Sequence, residues 1–411
     1  MEVSAAERIR TWIAEHGSKC VSTPEFLNGL IDELNRHALQ ILRSVINIRT
    51  LHPEVGAITY QWYDKDTNMA LPMHLILRQQ KFEFGKSRVF MNIVRRTVVE
   101  TDAYSNSPFY EVRFGMSRVS TRLPAPEDMP QYSIYSDLNA IGATGYYARE
   151  LQFTDGERNV ITFASTKPDG FDDEDLRLLD EVAMLIAPYI EIFAQRLLMQ
   201  TLLEIYLGEK TGQEVLQGRI QRGDIRKLDS VIWFSDLRDF TKLTAEEAGG
   251  VVESLNQYFE AVAEPIREHG GEILKFIGDA ILAIFPVQVD ARSGAEAALR
   301  AAYDAGDRLA ELNARRASSG AAALQHGIGL HTGVVKYGNI GSRDRLDFTV
   351  IGNAVNLASR IEGLCGASGE AILLSAELAR SLPGYTRLVG AFQVKGVAGE
   401  TQAFAPTARP D

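Results

Sequence analysis

Residues 275–285 read KFIGDAILAIF. Two apolar runs flank a Gly278-Asp279 pair, the pattern of a tight hairpin between two buried strands. One arm carries Lys275 and the tip carries Asp279. Burying either charge without a partner is costly, so each must meet a side chain, a cation or a ligand. Upstream, residues 230–235 (SVIWFS) predict a buried strand that ends at Asp236. In a sheet that places this strand beside the hairpin, Asp236 and Asp279 converge at one edge. Two carboxylates there repel unless a cation sits between them. Oxygen-only ligation suits Mg²⁺, which takes one or two carboxylates plus substrate phosphates.

The surrounding elements alternate. Residues 245–269 read as helix, with a kink at Pro265 and a stop at Gly270-Gly271. Residues 295–315 form an Ala-rich helix. Strands are expected at 326–330 and 334–337, around Thr332-Gly333, and at 347–350 and 371–375. A helix is expected at 353–362, with Asn353 as its N-cap. This order suits an α+β, ferredoxin-like sheet with helices on one face. Past Asp236 comes LRDFT, where backbone N–H groups around Asp239, Phe240 and Thr241 can hold phosphate oxygens before a helix begins near Thr244. Asn356 and Arg360 are four apart and share one helix face, an amide and a guanidinium suited to a ribose oxygen and a phosphate. Lys275 interrupts a strand that is apolar on both pleat faces; it either snorkels past the strand edge or donates to the polar edge of a ligand's ring.

The chain divides into residues 1–172, 173–225 and 226–411. The first part is α+β. Residues 22–48 read as one amphipathic helix with Phe26, Leu30, Leu34 and Ile41 on a face, followed by strands near 57–63, 71–78, 87–94, 150–153 and 159–164. The second is a helical linker. Leu176, Leu179, Ala183, Ile186, Ile190, Phe193 and Leu197 step by threes and fours, which predicts a parallel two-helix dimer seam, the alternative being a helix packed on its own domain. Gly208, Gly212, Gly218 and Gly223 then break the chain.

FSDLRDFT, GGEILKFIGDAILAIF, GIGLHTGVVKYGNIG, DFTVIGNAVNLASR and VKG, in that order, resemble the successive motifs of class III nucleotidyl cyclase catalytic domains. The resemblance implies that Asp236 and Asp279 bind two divalent ions per active site, Mg²⁺ or Mn²⁺. It implies that Lys275 and Thr349 read the purine. Asn356 and Arg360 would orient the ribose and stabilise the transition state, and Lys395 would bind the terminal phosphates. It further implies a homodimer whose two sites lie at the interface, so that Lys275 and Asp279 of one hairpin serve different sites. The substrate expected is ATP. Lys275 can donate to adenine N1 and Thr349 can accept from the 6-amino group, whereas guanylyl members of the family usually carry Glu and Cys there. A guanylyl cyclase and a non-catalytic nucleotide-binding protein are the alternatives. Val334 stands where some relatives have an Arg, which shifts triphosphate binding towards Lys395 and backbone.

Residues 161–190 (ITFASTKPDGFDDEDLRLLDEVAMLIAPYI) more weakly resemble the end of a GAF-type sensor domain, which implies a small-molecule ligand not identified by the sequence. Cys20, His52 and His74 read as surface or core residues rather than chromophore or haem anchors. A net charge of -11 leaves no surplus of cations for nucleic acid. The two cysteines support no disulfide framework. No apolar run approaches the roughly 20 residues of a membrane span, and the N-terminus lacks a signal-peptide pattern. A cytoplasmic protein is the expectation.

Overall fold

The computed structural model describes residues 4–49, 55–64, 67, 76–96, 102–219, 221–240, 250–287, 290–394 and 399–410. The chain forms two compact units, Met1–Met199 and Gln200–Asp411.

The N-terminal unit is built on an antiparallel sheet of β1 (Ile41–Arg49), β2 (Val55–Asp64), β3 (Ile76–Phe84), β4 (Ser87–Arg95), β5 (Arg118–Arg122), β6 (Gly145–Gln152) and β7 (Arg158–Ser165). Their order is β3-β4-β2-β1-β7-β6-β5. Helices Ala5–His16, Thr23–Arg36 and Asp173–Leu207 cover one face, burying Ile9, Phe26, Leu30, Leu34 and Ile186 against Ile46, Ile58 and Phe163. Short helices Pro108–Phe114 and Ser133–Ala140 cover the other. Ile41 is not on the helix expected at residues 22–48. That helix ends at Arg36, and Ile41 opens β1. Ala38 and Gln40 both have positive φ, so the chain turns between them, and an apolar stripe across a turn mimics a continuous one. Much of the strand expected at 71–78 lies outside the described residues, as do His52 and His74.

The long helix corrects the dimer seam. Leu179, Ala183, Ile186, Ile190 and Phe193 are buried in the core of their own unit. A stripe of threes and fours serves a domain core as well as a coiled coil. The apolar side chains exposed on this helix are others, among them Met184, Ile192 and Met199. Its length and composition alone would let it cross a bilayer, with a mean hydropathy of 1.5 over an 18-residue window, contrary to the sequence expectation. Its buried face is spent on the sheet instead. Ile186→Lys therefore unfolds the N-terminal unit, at a cost on the order of 3–5 kcal/mol. A lower first transition in thermal melting checks this; a fully folded but monomeric variant would restore the seam.

The C-terminal unit has β8 (Ile225–Leu237), β9 (Glu272–Ile277), β10 (Ala280–Pro286), β11 (His326–Gly341), β12 (Leu346–Ile351), β13 (Ile372–Ser375), β14 (Thr386–Gln393) and β15 (Glu400–Pro406). The order is β14-β15-β13-β11-β8-β10-β9, with β12 paired to β11. Its centre is a β8–helix–β9–β10–helix–β11 unit with β8 between β10 and β11, the ferredoxin-like arrangement. The crossover helices Val251–Glu268 and Ala291–Ser318 pack on one face through Tyr258, Val262, Leu299 and Ala302. A third helix, Asn353–Glu362, covers the opposite face through Ala354 and Ala358, so helices lie on both faces rather than one. The strands expected on either side of Thr332-Gly333 are one continuous 16-residue strand, β11.

The short helix Glu209–Leu216 is tied to this sheet by a buried trio. Thr211 Oγ1 and the Tyr337 hydroxyl both donate to Glu272 Oε1, at 3.0 and 2.8 Å. Arg226 pairs with Glu214 at 3.2 Å and lies 4.9 Å from the centre of the Tyr337 ring.

Candidate active site

Asp236 is carried to its place by β8. Ser235 pairs with Ile281 on β10, and Asp236 itself pairs with Gly327 on β11. The β9–β10 turn is made by Gly278, with φ +66°, and Asp279. The register brings the Asp279 carboxyl next to that of Asp236. A third carboxyl, Glu362, ends the helix Asn353–Glu362. The helix can lie this close to β11 because the strand offers glycines. A Cβ on Gly327 would stand 2.5 Å from Glu362 Oε1, and one on Gly329 would collide with the helix backbone at Ala358 and Glu362.

The carboxyls of this cluster raise the pKa of Asp236 and of Glu362, with Arg238 as the opposing charge at Glu362. Burial, then the hydrogen bond and charge of Asp279, then the charge of Glu362 push Asp236 up to about 7, against the Leu237 N–H that donates to its Oδ1 at 3.1 Å. Glu362 is pushed up to about 7 by burial and by Asp279, opposed by Arg238. The Arg238 guanidinium is itself occupied, donating to the carbonyls of Cys365 and Glu370 at 3.2 and 2.6 Å. Among the described residues no group of three or more His, Cys, Asp or Glu side chains is disposed to cage a metal by itself. Two adjacent carboxylates without a bonded cation nonetheless fit a hard divalent ion that takes its other oxygens from substrate and water.

The remaining candidates stand apart from this cluster. Lys275, on β9, forms an ion pair with Asp347 on β12. Both line a cleft of about 600 Å³ with Phe276, Phe348, Arg267 and Lys210. Thr349 shares the strand with Asp347 and is buried. Among the described residues Lys275 bonds to Asp347 and not to Thr349. Asn356 and Arg360 occupy the exposed side of their helix, away from Ala354, Ala358 and Ile361. Asn353 is not the cap: Gly352 holds that position, and no side chain caps the helix. Asp239 sits in the turn after β8 with φ +57°, a conformation Asp tolerates better than most residues, and Phe240 follows it. Thr241 and Lys395 lie outside the described residues, as does Thr244.

Sequence reasoning missed Glu362, Arg238 and Asp347. Glu362 was signalled by the glycines of GIG at 327–329, which announce a helix lying on the strand. Asp347 was signalled by standing two residues before Thr349, on the same strand face.

Residues 225–405 match the adenylate and guanylate cyclase catalytic domain. The C-terminal unit therefore carries a class III nucleotidyl cyclase catalytic domain. Among curated relatives, an adenylate cyclase of Anabaena cylindrica is 38% identical over 156 residues, 37% of this chain and 30% of that protein. Adenylate cyclase 1 of Rhizobium meliloti is 34% identical over 143 residues, 34% of this chain and 22% of that protein. The match thus spans less than a third of either relative. A solved adenylyl cyclase of P. aeruginosa is 30% identical, with 45% of this chain and 96% of that one aligned and a TM-score of 0.42.

Proposed function

We propose that the chain is an adenylyl cyclase that converts ATP to 3′,5′-cyclic AMP and pyrophosphate at the interface of a homodimer, under control of a GAF-like N-terminal domain. The observation that carries this reading is the Asp236–Asp279 pair, two carboxyls held side by side by strand register at the edge of a cyclase-type sheet. Mg²⁺ or Mn²⁺ bound there, two ions per site, would acidify the ribose 3′-hydroxyl and offset charge around the α-phosphate. The chain's own residues supply the rest. The 3′-oxygen attacks the α-phosphorus, and the bond to the bridging oxygen of pyrophosphate breaks. Arg360, exposed on its helix, offsets the charge that accumulates on the α-phosphoryl oxygens, and Asn356 holds the ribose. The turn around Asp239, Phe240 and Thr241 presents backbone N–H groups to the phosphates, and Lys395 adds a cation. Neither Asn356 nor Arg360 bonds to the acidic cluster of its own chain among the described residues, which supports their service in a second chain's site.

Adenine is favoured by Lys275, a donor suited to N1, with Thr349 as acceptor for the 6-amino group. Incubation of the purified protein with ATP or GTP and either metal, with product identification, tests the reading. Cyclic AMP from ATP is expected. Lys275→Glu is expected to lower kcat/KM for ATP by at least about tenfold, because it removes the donor and sets two carboxylates together. Cyclic GMP as the main product would transfer the reading to guanylyl cyclase. No product from either nucleotide, in folded protein, would leave only nucleotide binding.

A further inference from the structure

The sheet face of the N-terminal unit that looks away from Phe26 carries a row of unsatisfied polar side chains. Directly opposed residues on neighbouring strands share a face. The register runs from Arg88 on β4 to Tyr63 on β2, Arg43 on β1, Ala164 on β7 and Tyr146 on β6, each opposite the next. Arg43, Tyr63 and Tyr146 are 7%, 0% and 1% exposed. Arg88 Nε, Tyr63 Oη, Arg43 Nε and Tyr146 Oη are all shut off from solvent without a hydrogen-bond partner. Gln61 Oε1 and both amide atoms of Asn92, on the same face, are in the same condition.

Arg43 is the decisive member. Burial pushes its pKa down, and the nearby groups that favour its charge are Tyr146, Tyr63 and Asp137. Asp137 is exposed and makes no ion pair with it among the described residues. A buried guanidinium with no bonded anion costs stability, and proteins keep such groups where a ligand completes them. The surroundings are apolar: Tyr135, Leu138, Ala148 and Val160 pack around Tyr146, and the Tyr135 ring centre is 5.3 Å from that of Tyr146. Ala164 sets a methyl group between the two largest polar side chains of the row.

We propose that this row binds a small organic carboxylate with an apolar or aromatic body. The guanidinium of Arg43 takes the carboxylate, the hydroxyls of Tyr63 and Tyr146 donate to it, and the body lies over Ala164 among the aromatic rings. The site is separate from the nucleotide chemistry proposed above and is tested without it.

The test uses the full chain, benzoate as probe and inorganic phosphate as comparison, with thermal melting and calorimetric titration as readouts. Benzoate is expected to raise the Tm of the first transition, by an amount that grows with the logarithm of its concentration. Phosphate is expected to do so weakly or not at all. Arg43→Met is expected to raise the Tm of the ligand-free protein, because it removes an uncompensated buried charge, and to abolish the benzoate shift. Tyr146→Phe, which keeps the ring, is expected to weaken benzoate binding several-fold with the fold intact. No benzoate shift in the wild type overturns the proposal. So does an equal shift in Arg43→Met, a lower ligand-free Tm for Arg43→Met with unchanged affinity in Tyr146→Phe, or phosphate binding as tight as benzoate.

Discussion

Asp279→Asn is expected to lower turnover by at least about a hundredfold, the scale of losing a metal ligand that stabilises transition-state charge, the role proposed for this carboxyl. The substitution keeps the shape of the turn and removes one negative charge from the cluster, so the protein stays folded. Its stability changes in a direction fixed by linkage. In the metal-free protein Asp236 and Glu362 titrate near 7, far above the ordinary carboxylate range. The folded chain therefore holds protons that the unfolded chain has released between roughly pH 4 and pH 7. Stability is then lost as pH rises through that window and levels off above it. Asp279 contributes to both shifts, so Asp279→Asn flattens the decline. Melting in a chelating buffer from about pH 5 to pH 8 reads this directly. Near-normal turnover by the folded variant, or an unchanged pH profile, would remove Asp279 from the site. Asp236→Ala is expected to share the catalytic loss.

Mixing two inactive variants restores activity. Asp279→Ala lacks the carboxylate proposed to bind metal, and Arg360→Ala lacks the group proposed to stabilise the transition state. If each site takes its carboxylates from one chain and its Arg360 from the other, a mixed dimer has one intact site and one doubly damaged site. Random exchange makes half the dimers mixed, so activity recovers to about one quarter of wild type. No recovery, with subunit exchange demonstrated by differently tagged chains, would mean that each chain completes its own site.

Much of the catalytic unit was legible because its signals are local. KFIGDAILAIF contains its own hairpin, and the apolar run before Asp236 fixes a strand end. Asn353–Glu362 has the expected bounds because Ala354, Ala358 and Ile361 leave no doubt of its buried side. What escaped was set by partners distant in sequence. Glu362 joins the aspartates across Gly327, Asp347 meets Lys275 across 72 residues, and neither contact leaves a periodic trace. The seam on Asp173–Leu207 was misassigned for the opposite reason. Its period was clear, but a period names a face and not what covers it. β14 and β15 were not foreseen: Gly390 interrupts the apolar run of the first, and the second holds only Ala403, Phe404 and Ala405 in a row.

The Thr211–Glu272–Tyr337 trio bears on how such a chain can be recombined. Thr211 precedes Arg226, yet its hydroxyl belongs to the bonding of the catalytic sheet. A splice at Arg226 would leave Glu272 buried and short of a donor, whatever domain was joined there. An exchange of N-terminal units that spares the cyclase domain has to fall upstream of Gly208, inside the helix Asp173–Leu207. A helix tolerates such a joint but keeps count. Each residue inserted or deleted turns everything beyond it by about 100° and moves it by about 1.5 Å. Insertions in whole-heptad steps return to within about 20° of the same phase, whereas insertions of three or four residues leave residual turns of about 60° and 40° in opposite senses. A ladder of such insertions, assayed for turnover, would read rotation as a rate.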